Sequence, residues 1–354
     1  LFTEYVYGAT ATTATAAQRR ANLALYGAPT GAQIVRRWHL GGIILLDHNN
    51  LDPARPALST GNVGTASQIS TLTAGLQQAA LADSGVRLLI GTDQEGGSVQ
   101  RIRNGVDWRP SELQLSQDSP AALRCSYLSL GRQLRRLGVN QDYAPVADVV
   151  RVSGGVIGDR SFGPDPATDA QDVQAAVTGL QAAGVLATVK HWPGHGSTPV
   201  NSHQALPVLA LTAAQWRSVD RAPFQSVART AAGIMVGHLA LPALDPSGQP
   251  ATLSPDLVKQ QLRQNLGYRG LVVTDSLWMA PMRQAGTAAE VAVRAVQAGD
   301  DMLLMSPDLP AAYQAVLAKV RSDRTFRAQV QAAVQRILAA KARAAASPAG
   351  LAGC

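Results

Sequence analysis

The chain alternates short apolar runs with longer stretches of helical spacing, and it does so eight times. The runs cover 2–7 (FTEYVY), 42–46 (GIILL), 87–91 (RLLIG), 139–144 (VNQDYA), 185–189 (VLATV), 233–236 (GIMV), 271–274 (LVVT) and 302–305 (MLLM). Apolar runs bounded by glycine or polar residues fit strands buried on both faces. Between them, 66–82, 120–137, 167–183, 212–230, 255–266, 288–298 and 310–320 are rich in Ala, Leu, Gln and Arg. Several carry Ser, Thr or Asp near the start, as a helix cap requires. This repeat predicts an α/β fold, a single (β/α)8 barrel of TIM type. The whole of 1–354 reads as one barrel domain. From 327 onward an Ala/Arg-rich helix forms a C-terminal extension expected to fray from about 345, near Ser347 and Pro348. An open doubly wound sheet is the competing architecture. No G-x-G-x-x-G follows the first run and no G-x-x-x-x-G-K-[ST] occurs, which withdraws support from nucleotide-binding versions.

Charge and cysteine content exclude other classes. Lys and Arg total 31 against 24 Asp and Glu, a net +7, with a pI near 9.8. That balance invites nucleic acid, but no basic run is interleaved with aromatics, and aromatics are only 5%. Arg19-Arg20, Arg36-Arg37 and Arg135-Arg136 are scattered through helical patterns. A solvated basic surface is the first reading, and attraction to an anionic polymer such as a bacterial wall the second. No apolar run reaches the ~18 residues of a membrane span. Cys125 and Cys354 are the only cysteines, too few for a disulfide scaffold. Cys125, in an apolar helical stretch, reads as a buried thiol. Cys354 is the last residue and cannot be a prenylated cysteine. Scarce cysteine and a start at Leu1 rather than Met favour an exported bacterial protein, in the envelope or outside it; the cytoplasm is the alternative.

In such a barrel the chemistry sits at the C-terminal ends of the strands. There the sequence places Asp93-Gln94-Glu95-Gly96-Gly97, Lys190-His191, Gly237-His238 and Asp275. The segment KHWPGHGSTPVNSH, 190–203, holds three of the six histidines. His191 and His195 are four apart, a spacing that serves zinc on a helix. Pro193 and Gly194 between them argue against a helix, and neither cysteine nor carboxylate completes a ligand set, so a site without metal or other cofactor is expected. His195, between two glycines, reads as a hydrogen-bonded core histidine. His203, late in a polar loop, can reach a ligand from a mobile element. Asp275 ends a buried run, where a carboxylate must have either a partner or a function. It could serve as a helix N-cap or as a nucleophile, and the fragment does not choose between them.

These motifs resemble a known family. DQEGG at 93–97, GDRSFGPDP at 158–166, KHWPGHG at 190–196, NSH at 201–203 and VVTDSLWM at 272–279 are similar, in order, to glycoside hydrolase family 3. They match its short β-N-acetylglucosaminidase branch, the NagZ type. Two-domain β-glucosidases of the family carry the acid/base on a second domain that this chain is too short to hold. The resemblance implies retaining hydrolysis of terminal N-acetylglucosamine from peptidoglycan fragments or chito-oligosaccharides, through a covalent glycosyl-enzyme. It implies Asp275 as nucleophile and His203 as acid/base, whose ordinary pKa of about 6.5 suits both roles. It places Asp93, Arg101, Arg160, Lys190 and His191 around the sugar, where carboxylates accept from hydroxyls and Arg or Lys donate to them. The partner implied is a carbohydrate; the protein is expected to be monomeric.

One position departs from the family's Asp-Ser-His. Asn201 stands where the Asp of the dyad would be. An amide oxygen can accept from a ring N–H but lends no charge to an imidazolium. Three other readings stand beside the first: a β-glucosidase, a glycosyl phosphorylase on the same barrel, or, because of Asn201, a weakened or non-catalytic wall-glycan binder. Retention of both Asp275 and His203 favours an enzyme over a binder.

Overall fold

The computed structural model describes residues 1–48, 61–351, 353 and 354. Eight parallel strands close a barrel: β1 (Phe2–Glu4), β2 (Gly42–Leu45), β3 (Leu89–Thr92), β6 (Gln141–Asp142), β7 (Leu186–Trp192), β8 (Gly233–Val236), β9 (Leu271–Ser276) and β10 (Met302–Leu304). β10 pairs back onto β1, Phe2 opposite Leu303, which leaves no open edge. A hairpin not anticipated from the sequence, β4 (Gln94–Gly96) with β5 (Val99–Gln100), stands on the end of β3. The predicted barrel forms, with each apolar run supplying its strand.

Side-chain alternation along the strands makes two cores. Ile43, Leu45, Ile90, Val189, Ile234, Val236 and Val272 belong to the cluster shared with the helices. Their neighbours Ile44, Leu46, Leu89, Met235, Leu271, Val273 and Leu304 form a second cluster, the barrel's interior. A run apolar on both faces is what this double burial demands. Gly91 has no room for a side chain, since a Cβ there would sit 2.8 Å from the Tyr143 ring.

The helices follow the expected segments with local differences. Ala66–Ser84, Pro120–Arg136, Pro166–Ala182, Ala288–Ala298 and Leu309–Ser322 form close to expectation, and Asp256–Asn265 is wound as a π-helix. The stretch 212–230 divides into Ala213–Ser218 and Arg221–Val227. Pro223 explains the break: it has no N–H to donate and its ring excludes the carbonyl of Val219, four residues back. Ala16–Tyr26 and Gly31–Trp38, between β1 and β2, carry the Arg19-Arg20 and Arg36-Arg37 pairs of the helical patterns. The first carries a capping box in which Thr15 and Gln18 satisfy each other's backbone N–H.

The C-terminal helix runs Arg324–Ala345, opened by Asp323, whose Oδ1 accepts from the Phe326 N–H at 3.0 Å. Its buried Ile337, Ala340 and Ala344 join the interior cluster and close the barrel where the strands begin. Beyond it the chain is tied down rather than frayed. Gly350 donates its N–H to the Ala182 carbonyl at 3.1 Å, and Arg135 reaches the carbonyls of Ala344 and Ala346 at 2.5 and 3.4 Å. Cys354 is disulfide-bonded to Cys125 across 229 residues. This corrects the reading of Cys125 as a buried thiol: it is half-buried, on the rim of its helix, within reach of the tail. No described helix is long and apolar enough to cross a membrane.

Closing so long a loop restricts the unfolded chain, an effect of about 2–4 kcal/mol. Reductant should therefore lower the Tm of the wild-type protein and leave a Cys125→Ser/Cys354→Ser double variant unmoved. A wild-type Tm insensitive to full reduction would count against the bridge as a stabiliser.

Candidate active site

A pocket of about 310 Å³ opens where the strands end. β9 shows how the fold builds it. Leu271 and Val273 face the barrel interior, so by alternation Asp275 faces inward one layer higher, where the interior meets the mouth. On β7, Lys190 and His191 both line the pocket, because pairing with β8 shifts register between Val189 and Trp192. The β4–β5 hairpin contributes Glu95, and Asp93 follows the last residue of β3.

Glu95 is the centre of the charge network. It is 1% exposed and meets Arg160 through two bonds, Nε at 2.7 Å and a terminal nitrogen at 2.9 Å. Lys190 Nζ lies 2.5 Å from Glu95 Oε1 and 2.7 Å from Asp93 Oδ1. Burial alone would raise the Glu95 carboxyl; Arg160 and Lys190 outweigh it and hold it well below the usual carboxylate range. Burial would likewise lower the Lys190 ammonium, but Asp93 and Glu95 carry it above its ordinary value. Arg101 stands at the rim, 3.4 Å from Asp47 and 4.0 Å from Asp93.

The histidines divide by their partners. Asp148, fully buried, accepts from the backbone N–H of His195 at 2.7 Å and of His191 at 3.1 Å, and its Oδ2 lies 2.6 Å from His191 Nδ1. Burial pushes this carboxyl up, and His191 pulls it below its ordinary value. A carboxylate at Nδ1 fixes the proton there. His195 is a buried structural histidine, as expected, with Nε2 3.0 Å from Ser202 Oγ. His238, also buried, has Nε2 2.9 Å from the Ser276 carbonyl and Nδ1 2.7 Å from the Thr252 hydroxyl. A carbonyl can only accept, so His238 donates through Nε2 and braces the residue after Asp275.

His203 lies exposed at the mouth and lines the same pocket as Asp275. Asn201 Oδ1 receives both the His203 backbone N–H at 2.9 Å and the ring Nδ1 at 3.1 Å. The backbone bond identifies that atom as the amide oxygen, so Nδ1 carries the proton and Nε2 is the nitrogen left to titrate. Loss of hydration on its inner side lowers the His203 pKa, while Asp275 pulls it up; the net direction is down. Burial raises the Asp275 carboxyl, but the imidazoles of His238, His191 and His203 and the Ser276 N–H, 2.7 Å from Oδ1, bring it below its usual range. Asp275 caps no helix: the following helix, Ala280–Ala285, is preceded by Met279. Of the two roles the sequence left open, the N-cap is removed.

The structure thus gathers Asp93, Arg101, Arg160, Lys190, His191, His203 and Asp275 around one pocket, with Asn201 behind His203. Sequence reasoning missed Glu95, Asp148 and Ser202. Glu95 stood inside the DQEGG motif and carried its own signal, an acid beside a buried strand end. Asp148 had a weaker one, a lone acid among Val and Ala at 146–150. Among the described residues no group of three or more His, Cys, Asp or Glu is placed to hold a metal.

The barrel's mouth brings cations, carboxylates and imidazoles to one pocket, the groups that glycoside hydrolysis uses, and similarity to known proteins places the chain in that class. The profile of the glycosyl hydrolase family 3 N-terminal domain matches residues 26–340. A β-hexosaminidase of Pseudomonas aeruginosa is 33% identical over 302 residues, 84% of this chain and 85% of that one. One of Idiomarina loihiensis is 35% identical over 247 residues, 68% and 74% of the two chains. A family 3 β-N-acetylglucosaminidase structure from Paenibacillus sp. FPU-7 superposes with a TM-score of 0.86 at 34% identity, over all of this chain but 63% of that one. A β-N-acetylhexosaminidase from Beutenbergia cavernae gives 0.81 at 30% identity, covering 97% and 96%. The chain belongs to glycosyl hydrolase family 3.

Because Glu95 is held below its unfolded value, its charge contributes stability that is complete above about pH 5 and lost as pH falls through the carboxylate range. Glu95→Gln should cost about 3–5 kcal/mol at neutral pH, since it leaves buried cations uncompensated. The gap to wild type should narrow by up to about 1.4 kcal/mol per unit below roughly pH 4. Chemical denaturation at several pH values reads both; a gap that widens in acid would overturn the assignment of a depressed Glu95.

Proposed function

We propose that the protein is a retaining β-N-acetylglucosaminidase that removes non-reducing terminal N-acetylglucosamine from peptidoglycan fragments or chito-oligosaccharides. The observation that carries this reading is that Asp275 and His203 face one pocket, and among the described residues no Lys or Arg is ion-paired to Asp275. Asp275 Oδ1 accepts from its neighbour's N–H, which leaves the other oxygen for an anomeric carbon. In the first step that oxygen bonds to the anomeric carbon as the glycosidic C–O bond breaks, and the His203 imidazolium gives its Nε2 proton to the leaving oxygen. In the second, neutral Nε2 takes a proton from water. The water oxygen bonds to the anomeric carbon and Asp275 departs as carboxylate. Lys190 has three donors and gives two of them to Asp93 and Glu95, so one is left for a sugar hydroxyl. Asp93, Arg101, Arg160 and His191 complete the ring's surroundings. The carbohydrate activities of the named relatives and the resemblance of the motifs support the same substrate class.

A second reading, phosphorolysis, is favoured only by Asn201. A neutral acceptor behind His203 does not repel an incoming phosphate as a carboxylate would. The compartment we propose is outside the cytoplasm, where a disulfide such as Cys125–Cys354 persists.

Hydrolysis of p-nitrophenyl N-acetylglucosaminide and p-nitrophenyl glucoside, each with and without phosphate, separates the three activities. Only the first substrate should turn over well, at a rate independent of phosphate; preference for the glucoside would sink the proposal. Asp275→Ala should lose roughly 10⁴-fold or more in kcat with its fold intact. A slow 2-fluoro analogue should label Asp275, and an adduct found elsewhere by mass spectrometry would refute the nucleophile.

The second test concerns pH. With His203 lowered and no charge behind it, the acid form is lost at a pH below the ordinary histidine value. Asn201→Asp should move the basic limb of kcat/KM upward and help poor leaving groups most, since activated aryl groups need little protonation. An unmoved limb, with equal rates for both leaving-group types, would count against His203 as the acid.

A further inference from the structure

Two cavities larger than the pocket, about 800 and 640 Å³, lie on the opposite face, where the strands begin. They flank the helix Arg324–Ala345. Arg87, Arg135, Arg136 and Lys341 line the first; Arg229, Arg269, Arg336 and Arg343 line the second; neither lining contains an Asp or Glu. Eight of the chain's 31 Lys and Arg line these two grooves, although their sequence positions look scattered.

Two of the eight are engaged. Arg135 bonds the carbonyl of Ala344, and Arg336 lies 2.8 Å from the buried Asp301. The other six have no carboxylate within ion-pair distance among the described residues. Lys341 is half-buried there, and burial lowers its pKa to about 8. Cations concentrated without partners raise a local potential that an anion relieves, and arginine forks match phosphate geometry. No aromatic lines either groove, so base stacking has no platform. The face is concave, and the C-terminal helix exposes only Val334 and Leu338 as large apolar groups, too little to enter a bilayer.

We propose that this face binds a linear phosphodiester polymer of the bacterial envelope, its phosphates seated in the grooves on either side of the C-terminal helix. The site is separate from the catalytic mouth and stands whatever sugar that mouth takes. A polymer held here leaves the mouth pointing away from it.

Purified full-length protein is titrated with poly(glycerol phosphate), with phosphatidylglycerol vesicles and with single-stranded DNA, between about 50 and 200 mM salt. The polymer should bind best, with an affinity that falls steeply with salt. Reversing Arg87, Arg136, Arg229 and Arg343 to Glu should weaken it about tenfold or more. Reversing Arg19, Arg20, Arg36 and Arg217, which line neither groove, should weaken it far less. Both variants should keep wild-type Tm and hydrolysis of p-nitrophenyl N-acetylglucosaminide. Absence of polymer binding, equal losses in the two variants, or tighter binding to vesicles or DNA would each overturn the proposal. Inactivity on the sugar with polymer binding intact would fail the enzymatic reading instead.

Discussion

A carboxylate buried at the mouth of the barrel joins three distant parts of the chain. Glu95 comes from the hairpin on β3, Lys190 from the end of β7, and Arg160 from a short 3-10 turn after β6. None of these charges could be buried alone, because an unpaired ion in so dry a place would neutralise or pull water in. Together they are mutually satisfied, and each fixes the position of the segment that bears it. Asp93 and Asp148 extend the same logic outward: one shares Lys190, the other holds the backbone of His191 and His195. The loop that carries His203 starts from that fixed point. The pocket's charged groups are therefore held in place by ionic bonds, while Ile44, Leu46, Met235 and Leu304 of the interior cluster supply the apolar part of its lining.

The barrel was legible because closing it requires strands that are apolar on both faces. Runs such as GIILL and VLATV meet that requirement in few other architectures. The strand-end rule then located Asp93, Lys190, His191 and Asp275 without any contact information. Three things were not legible, each for a physical reason. The β4–β5 hairpin is only three and two residues long, with Gly97 and Ser98 at its turn, too short for a period to show. Asp148 is important for what it accepts from two backbones forty-odd residues away, a relation that composition does not encode. The Cys125–Cys354 pair needed the tail to fold back beneath Ala182, a path that the polar, Pro- and Gly-containing end does not announce. The clustering of cations beneath the barrel was hidden in the same way, since the residues that form it lie far apart along the chain and meet only when the helices are packed.

Asn201 shows how a substitution can keep geometry while changing energy. The amide oxygen holds both the backbone and the ring of His203, which is all that orientation requires. It fixes the same tautomer a carboxylate would. What is lost is the field: a carboxylate steadies the imidazolium, and an amide does so far more weakly. The strongest negative charge near His203 is Asp275, which with a smaller effect from Asp93 pulls its pKa upward from across the pocket. If Asp275 becomes an ester in the glycosyl-enzyme, that charge disappears and His203 becomes a readier proton donor and a weaker base than before. In the mechanism proposed above, the first half, with Asp275 still ionised, is therefore the half in which His203 is most easily kept protonated, and it is the half in which the proposal has His203 give up a proton. With a neutral amide behind the ring, the charge of Asp275 carries more of the proton logic here than it would beside a carboxylate partner.

The same alternation that builds the core also determines where charge can be tolerated. Along β9 the inward positions run Leu271, Val273, Asp275, and along β7 Leu186, Thr188, Lys190: apolar or neutral below, ionised only in the last layer. One layer lower, at the level of Val273, a carboxylate would lie beside Met235 and Met302 in the interior cluster, where burial would protonate it. One layer higher it would stand in bulk water and lose its hold on geometry. The top of the barrel is the single level at which a side chain is both fixed by a strand and reached by substrate, which is why the chemistry lies there and the apolar closure by Ile337, Ala340 and Ala344 lies at the other end.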